Sequence, residues 1–250
     1  MKKIFNLAIV PLFLLIFWEA VGRGNVFPEF LLPSPEKVWS SFCELSSTGE
    51  LEWHISASMA RVAAGFLIAS VVALPLAYCS YYYQGYQTRS KFVLEALRFI
   101  PPLSLIPLLI LWLGIGEAPK LAIVILASFF PIYLNACAGF KQVDNSYREL
   151  AFMLRLNRRE TFKHIELPSA LPHIITGLRL GFGYSWRALV GAELIAASSG
   201  LGYLIGDAGE MSRTDRVFVG IFCIALLGIL GDQIFQLCGK RLTPWMKDKW

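Results

Sequence analysis

An all-α protein that crosses a membrane about six times is the fold class this sequence predicts, on three observations. Of its 250 residues 56% are hydrophobic and only 16% charged, and the mean hydropathy is +0.55, outside the balance of a soluble domain. Stretches such as Leu121 to Phe140 and Ile4 to Trp18 hold no charged side chain, and about 20 apolar residues suffice to cross a hydrocarbon core of roughly 30 Å. Basic residues, finally, crowd into alternate connecting segments, the signature of a polytopic chain.

The first span, Ile4 to Val21, follows Met-Lys-Lys. A secretory signal shares that start, but this apolar run is longer than a signal core, and Phe17 and Trp18 are too bulky for a cleavage site. An external loop over 23–55 comes next. In it Ser34-Pro35-Glu36 reads as a helix start, with a capping hydroxyl and a proline in the first turn, and Val38, Phe42 and Leu45 follow at helical spacing. A short helix on the membrane surface is expected there, packing or anchoring it, or meeting an external binding protein. Ser56 to Tyr78 forms the second span, and Tyr81, Tyr82 and Tyr83 at its end read as interfacial anchors.

Phe92 to Leu113 is a third span in which Pro101, Pro102 and Pro107 remove backbone donors and are expected to kink the helix. Leu121 to Phe140 is the fourth, Ile174 to Ala197 the fifth and Val217 to Leu237 the sixth. The fifth carries Arg179, Arg187 and Glu193. With the N-terminus inside, the cytoplasmic segments hold Lys2, Lys3, Arg89, Lys91, Lys141, Arg148, Arg155, Arg158, Arg159, Lys163, Lys240, Arg241, Lys247 and Lys249. The opposite side holds Arg23, Lys37, Lys120, Arg213 and Arg216, with Arg61 near a helix end. Both termini are therefore expected in the cytoplasm. The chain reads as one transmembrane domain over 1–250, with 1–22 the first span, 56–250 the core and 141–173 a cytoplasmic loop.

Several function classes drop out. No Gly-x-x-x-x-Gly-Lys-[Ser/Thr] phosphate cradle occurs, so an ATP-driven pump needs its ATPase on another polypeptide. Gly200-Leu-Gly202-Tyr-Leu-Ile-Gly206 follows no strand and is no dinucleotide fingerprint. His54, His164 and His173 lack metal-ligand spacing, and the five scattered cysteines suggest neither zinc nor a disulfide framework. No nucleophile and base stand out for an intramembrane enzyme, so no catalytic residue, metal or cofactor is expected. The net charge of +5 is explained by topology rather than by nucleic-acid binding.

Between the fourth and fifth spans lies the most telling segment, Glu149 to Pro168, charged and amphipathic between two apolar runs. Taken alone it is a solvated connecting helix or a helix that buries one stripe in a partner's groove. Its pattern of Glu149 and Ala151, then Ile165 and Leu167-Pro168, resembles the EAA loop of ABC importer permeases. Further matches extend the resemblance from roughly Pro33 to the C-terminus: Pro101 to Glu117, Phe130-Pro131, Leu167 to Pro172, Thr176 to Arg179, and Ala192 to Gly202. Together they resemble the nitrate, sulfonate and taurine branch.

The resemblance implies a type I importer permease in the inner membrane, paired with a second copy of itself among the lipids. It implies a cytoplasmic ATP-binding subunit docked through Glu149, Ala151, Leu154, Arg155, Ile165, Leu167 and Pro168, and an external substrate-binding protein. ATP would be bound by the partner alone. The family's loop carries glycine six residues after the glutamate; Arg155 stands here, so the bend is shifted or replaced, with Asn157 the more tolerant host of a left-handed residue.

Arg187 and Glu193 are candidates for the translocation path, because an intramembrane charge marks function unless it is paired or hydrated. Six positions apart, they face different directions. Arg187 either lines an anion path or pairs with Glu95, Asp232 or another chain; Glu193 either shares the path or anchors helix ends. Gly177 and Gly181 form a close-packing stripe, open also to a homodimer interface. An ATPase-independent secondary transporter or channel is the competing class, and which solute is carried stays open at this level.

Overall fold

The computed structural model describes the backbone of residues 2–23, 28–83, 92, 94 and 96–249. Arg89, Lys91 and Glu95, the start of the expected third span, and the side chains of Lys2, Lys3, Arg23, Lys247 and Lys249 lie outside the described residues. Among the described residues the elements are helical. They are α1 (Lys2–Arg23), α2 (Pro35–Ser47), α3 (Glu50–Tyr82), a 3-10 turn (Pro102–Leu105), α4 (Ile106–Leu113), α5 (Glu117–Lys141) and α6 (Asn145–Met153). After them come α7 (Arg158–Thr161), a π turn (Phe162–Glu166), α8 (Leu167–Ala196), α9 (Leu201–Glu210), α10 (Thr214–Leu242) and a closing 3-10 stretch (Pro244–Lys249).

Three described helices are long and apolar enough to cross a membrane: α3, α5 and α10. Residues Arg158–Ala196 and Leu201–Glu210 pass the same test together, as a broken span or a re-entrant loop. Within its most apolar window α5 is 44% buried and α10 only 17%, which makes α5 a core helix and leaves a flank of α10 open to lipid or partner. Leu226, Ile229, Leu230 and Ile234 lie exposed along that flank.

The chain forms two compact units. One joins Met1–Ser58 to Glu193–Leu226. Here Ser34 caps α2 by accepting from the Lys37 amide, with Pro35 in the first turn where no donor is needed. Val38, Ser41 and Leu45 are the buried face of α2, and the Ser41 hydroxyl donates to Asp215. Trp18 of α1 gives its indole N–H to the Pro33 carbonyl at 3.0 Å and stacks on Phe218 at 5.4 Å. The α2 helix is thus tied into its unit by packing and polar bonds, while Trp39 stays exposed.

The other unit joins Met59–Ala192 to Leu227–Trp250. Ala73 and Ala77 of α3, Ile132, Tyr133, Ala136, Cys137 and Phe140 of α5, and Ala170 and Ile174 of α8 make its core. Small residues set the helix spacing. A Cβ on Gly177 would stand 2.8 Å from Asn135 Cβ, and one on Gly181 2.7 Å from Ile132 Cγ1, so both glycines are spent on α5 of the same chain and not on a homodimer contact. Arg179 and Asp232 form a fork-to-fork pair, Nη2 to Oδ2 at 2.8 Å. Asp232 is therefore Arg179's partner and not that of Arg187.

Several expectations need correcting. The proline break of the third span is real, with Pro101 extended and a 3-10 turn after it. Pro107, however, occupies the first turn of α4, where the missing N–H costs nothing. Within 141–173 the chain is helical for most of its length, and the π turn leads directly into α8. Its register, with the Leu167 amide donating to Phe162, carries Pro168 into the helix without a break.

Candidate functional site

Residues 142–166 fold into a small hairpin of their own. Asp144 caps α6, its carboxylate accepting from the Ser146 amide at 2.9 Å, and that bond holds its pKa below the ordinary carboxylate value. At the other end the Leu156 amide bonds the Ala151 carbonyl and the Arg155 amide bonds the Phe152 carbonyl, both at 3.0 Å. This is a Schellman closure, with Arg155 at the left-handed position, φ 51°. The bend therefore stays where the family has glycine. Asn157 is extended instead and opens α7 with a capping box: its Oδ1 accepts from the Glu160 amide at 3.0 Å, and Glu160 accepts from the Asn157 amide at 2.7 Å.

Val143, Ala151 and Ile165 are buried together, with Leu156 against them. Ala151 and Ile165 thus hold the hairpin shut, facing inward. Glu149 and Leu154 face out, Leu154 at 60% exposure, beside Phe152 at 86% and Met153 at 79%. Leu167 and Pro168 are half-buried at the start of α8. Phe152 was missed in the sequence reading; an aromatic between Ala151 and Met153, off the buried stripe of a short polar helix, was the signal available.

The base of the hairpin is gripped by the end of α3. Glu166 accepts from Tyr78 at 3.1 Å and Tyr81 at 3.3 Å, Arg148 donates to the Tyr81 hydroxyl at 2.8 Å, and the Arg158 guanidinium lies 3.3 Å over the Tyr82 ring. Tyr81 and Tyr82, expected as membrane anchors, are partners of this loop.

The two intramembrane charges part company. Glu193 is 1% exposed and accepts from the Ser58 hydroxyl at 2.8 Å and the Gly202 amide at 3.0 Å. His54 and Ser58 take the Gly200 and Leu201 amides. These are donors that the start of α9 leaves unpaired, so Glu193 anchors a helix end in a position that favours negative charge. At Gly200, with φ 116°, a Cβ would stand 2.3 Å from that carboxylate. Arg187 is exposed on α8, its Nε bonded to the Gly183 carbonyl at 3.0 Å and its guanidinium 4.9 Å over Tyr184. It lines a cavity between the proline break, α5 and α8 whose walls do not include Glu193.

The geometry therefore comprises apolar spans, a hairpin with an exposed apolar tip and an arginine-bearing cavity, and the comparisons agree with it. Residues 65–244 match the family described as "Binding-protein-dependent transport system inner membrane component". The chain is 35% identical over 241 residues to the "Putative aliphatic sulfonates transport permease protein SsuC" of Bacillus subtilis, covering 95% of this chain and 86% of that one. To the taurine transport system permease protein TauC of Escherichia coli it is 34% identical over 237 residues, 93% and 86% of the two chains. To the nitrate import permease protein NrtB of Synechocystis sp. it is 29% identical over 255 residues, 97% and 90%. An all-helical chain of membrane-crossing length that matches such relatives almost end to end belongs to the binding-protein-dependent inner-membrane permeases of ABC importers, in the branch that holds the sulfonate, taurine and nitrate permeases.

Proposed function

We propose that two copies of this chain form the path of an ATP-driven importer for a small anion of the sulfonate, taurine or nitrate class, with both termini in the cytoplasm. Each copy receives solute from an external binding protein and binds one ATP-hydrolysing subunit through the hairpin at 142–166. ATP is bound there by the partner and not by this chain. Nucleotide-driven closure of the ATPase pair draws the two hairpins together and turns the path outward; hydrolysis resets it.

The observation that carries this reading is the exposed run Phe152, Met153 and Leu154 on a hairpin folded by its own core. An exposed apolar tip on a hairpin that also exposes Glu149, Arg155 and Arg159 suits a groove on a protein rather than lipid. Glu149 and Leu154 meet the partner directly, Arg155 sets the bend that presents them, and Ala151, Ile165, Leu167 and Pro168 shape the hairpin and its root. Replacing Phe152 with Asp in the co-expressed complex is expected to abolish co-purification of the ATPase and ATP-dependent uptake into proteoliposomes. Uptake by this chain alone in pure liposomes would instead establish the secondary-transporter reading.

A further inference from the structure

Beside the proline break lies a cavity of about 670 Å³, inside the roughly 300–1,000 Å³ range of small-molecule sites. Its walls come from residues 97–105, the middle of α5 and the outer half of α8. Most are apolar, among them Phe130, Leu134 and Leu180, and the polar side chains that face it include Arg98, Asn135, Tyr184 and Arg187. Among the described residues no aspartate or glutamate lines it.

Two arginines share this largely apolar lining. Among the described residues neither has a carboxylate partner: Arg98 lies 4.9 Å over Phe99, and Arg187 bonds only the Gly183 carbonyl and the Tyr184 ring. Aromatic stacking and the Nε bond fix the plane of Arg187 and leave its terminal nitrogens unspent, ready for the two-point grip of an oxyanion. Two cations on one largely apolar wall call for a counter-ion or water.

Within the importer reading, on which this step rests, we propose that the cavity is a binding subsite of the permease for an alkanesulfonate. Arg98 and Arg187 take the sulfonate oxygens, and the apolar chain lies on Phe130, Leu134 and Leu180. Because the described lining holds two cations and no acid, an amino group on the chain finds no carboxylate partner there, so the subsite selects alkanesulfonates over aminoalkanesulfonates. A tail-less anion such as nitrate leaves the apolar wall unused. Selection then takes place in the membrane as well as at the external binding protein.

The test is calorimetric titration of the purified permease with its ATPase subunit in lipid nanodiscs, without binding protein. Saturable binding of butanesulfonate is expected, at least tenfold weaker binding of 3-aminopropanesulfonate, and none of 1-butanol. Arg98→Gln and Arg187→Gln should each weaken butanesulfonate tenfold or more, with Arg187→Lys intermediate. No saturable binding to the wild-type complex, equal binding of the alcohol, or unchanged affinity in both glutamine variants overturns the subsite. The wild-type ligand series decides even if a variant fails to assemble. ATP-driven anion uptake by the complete wild-type system is measured in parallel. Its absence counts against the importer reading, whereas uptake without butanesulfonate binding removes the subsite alone.

Discussion

Arg155 shows how a single residue can disobey its local preference. Its left-handed φ costs about 1–2 kcal/mol relative to a residue without Cβ, yet two amide bonds and the Leu156 contact hold it there. Arg155→Gly removes that strain, offset by the greater backbone freedom of glycine in the unfolded chain. The expected outcome is an intact hairpin with unchanged ATPase binding in a pull-down assay; near-complete loss of binding would show that the guanidinium itself contacts the partner. Glu193 carries the opposite lesson. Glu193→Gln turns one acceptor into a donor facing the Ser58 hydroxyl and the Gly202 amide, and should cost about 1–3 kcal/mol, read as a lowered Tm of the detergent-solubilised protein. Position within an apolar run flagged Glu193 as unusual, and the family's glycine flagged Arg155. Spacing along the chain was silent about Ser58 and His54, whose partners lie more than 130 residues away, and so could not separate an anchor from a path residue.

At the scale of elements, the hairpin separates residues that hold it together from residues that reach out of it. Ile165→Ala opens a hole in a three-residue core, at a cost of about 2 kcal/mol or more. Phe152→Ala removes an exposed ring and leaves stability nearly unchanged. Both are expected to lose ATPase docking, but only the first should increase protease cleavage within 142–166 in the isolated permease. Should Phe152→Ala keep full docking, the tip is not the contact. The long crossing helices and the capped start of α2 were legible because hydrophobic runs and Ser-Pro signals are local. The α9 helix was overlooked inside an external loop, although Leu201, Leu204 and Ala208 form its buried stripe, because its N-terminal amides are satisfied by residues from elsewhere in the chain. The hairpin's exposed tip was equally hard to see, since the motif residues Ala151 and Ile165 point inward.

For the whole molecule, the charge asymmetry of the loops predicts which surface each segment meets. A membrane-impermeant maleimide added to intact cells is expected to modify exposed Cys43 and to spare a cysteine placed at Arg159; labelling of the latter would reverse the orientation. The membrane-crossing, all-helical class was readable from composition, but the grouping into two compact units was not, because it depends on which distant helices pack together. The clasp of Tyr78 and Tyr81 on Glu166 has one more implication. The hairpin is rooted in the start of α8 and latched to the end of α3, so displacement of its tip works like a crank on both helices at once. Loosening the latch with Tyr78→Phe and Tyr81→Phe would let the crank slip, and the assembled transporter would burn nucleotide without moving cargo.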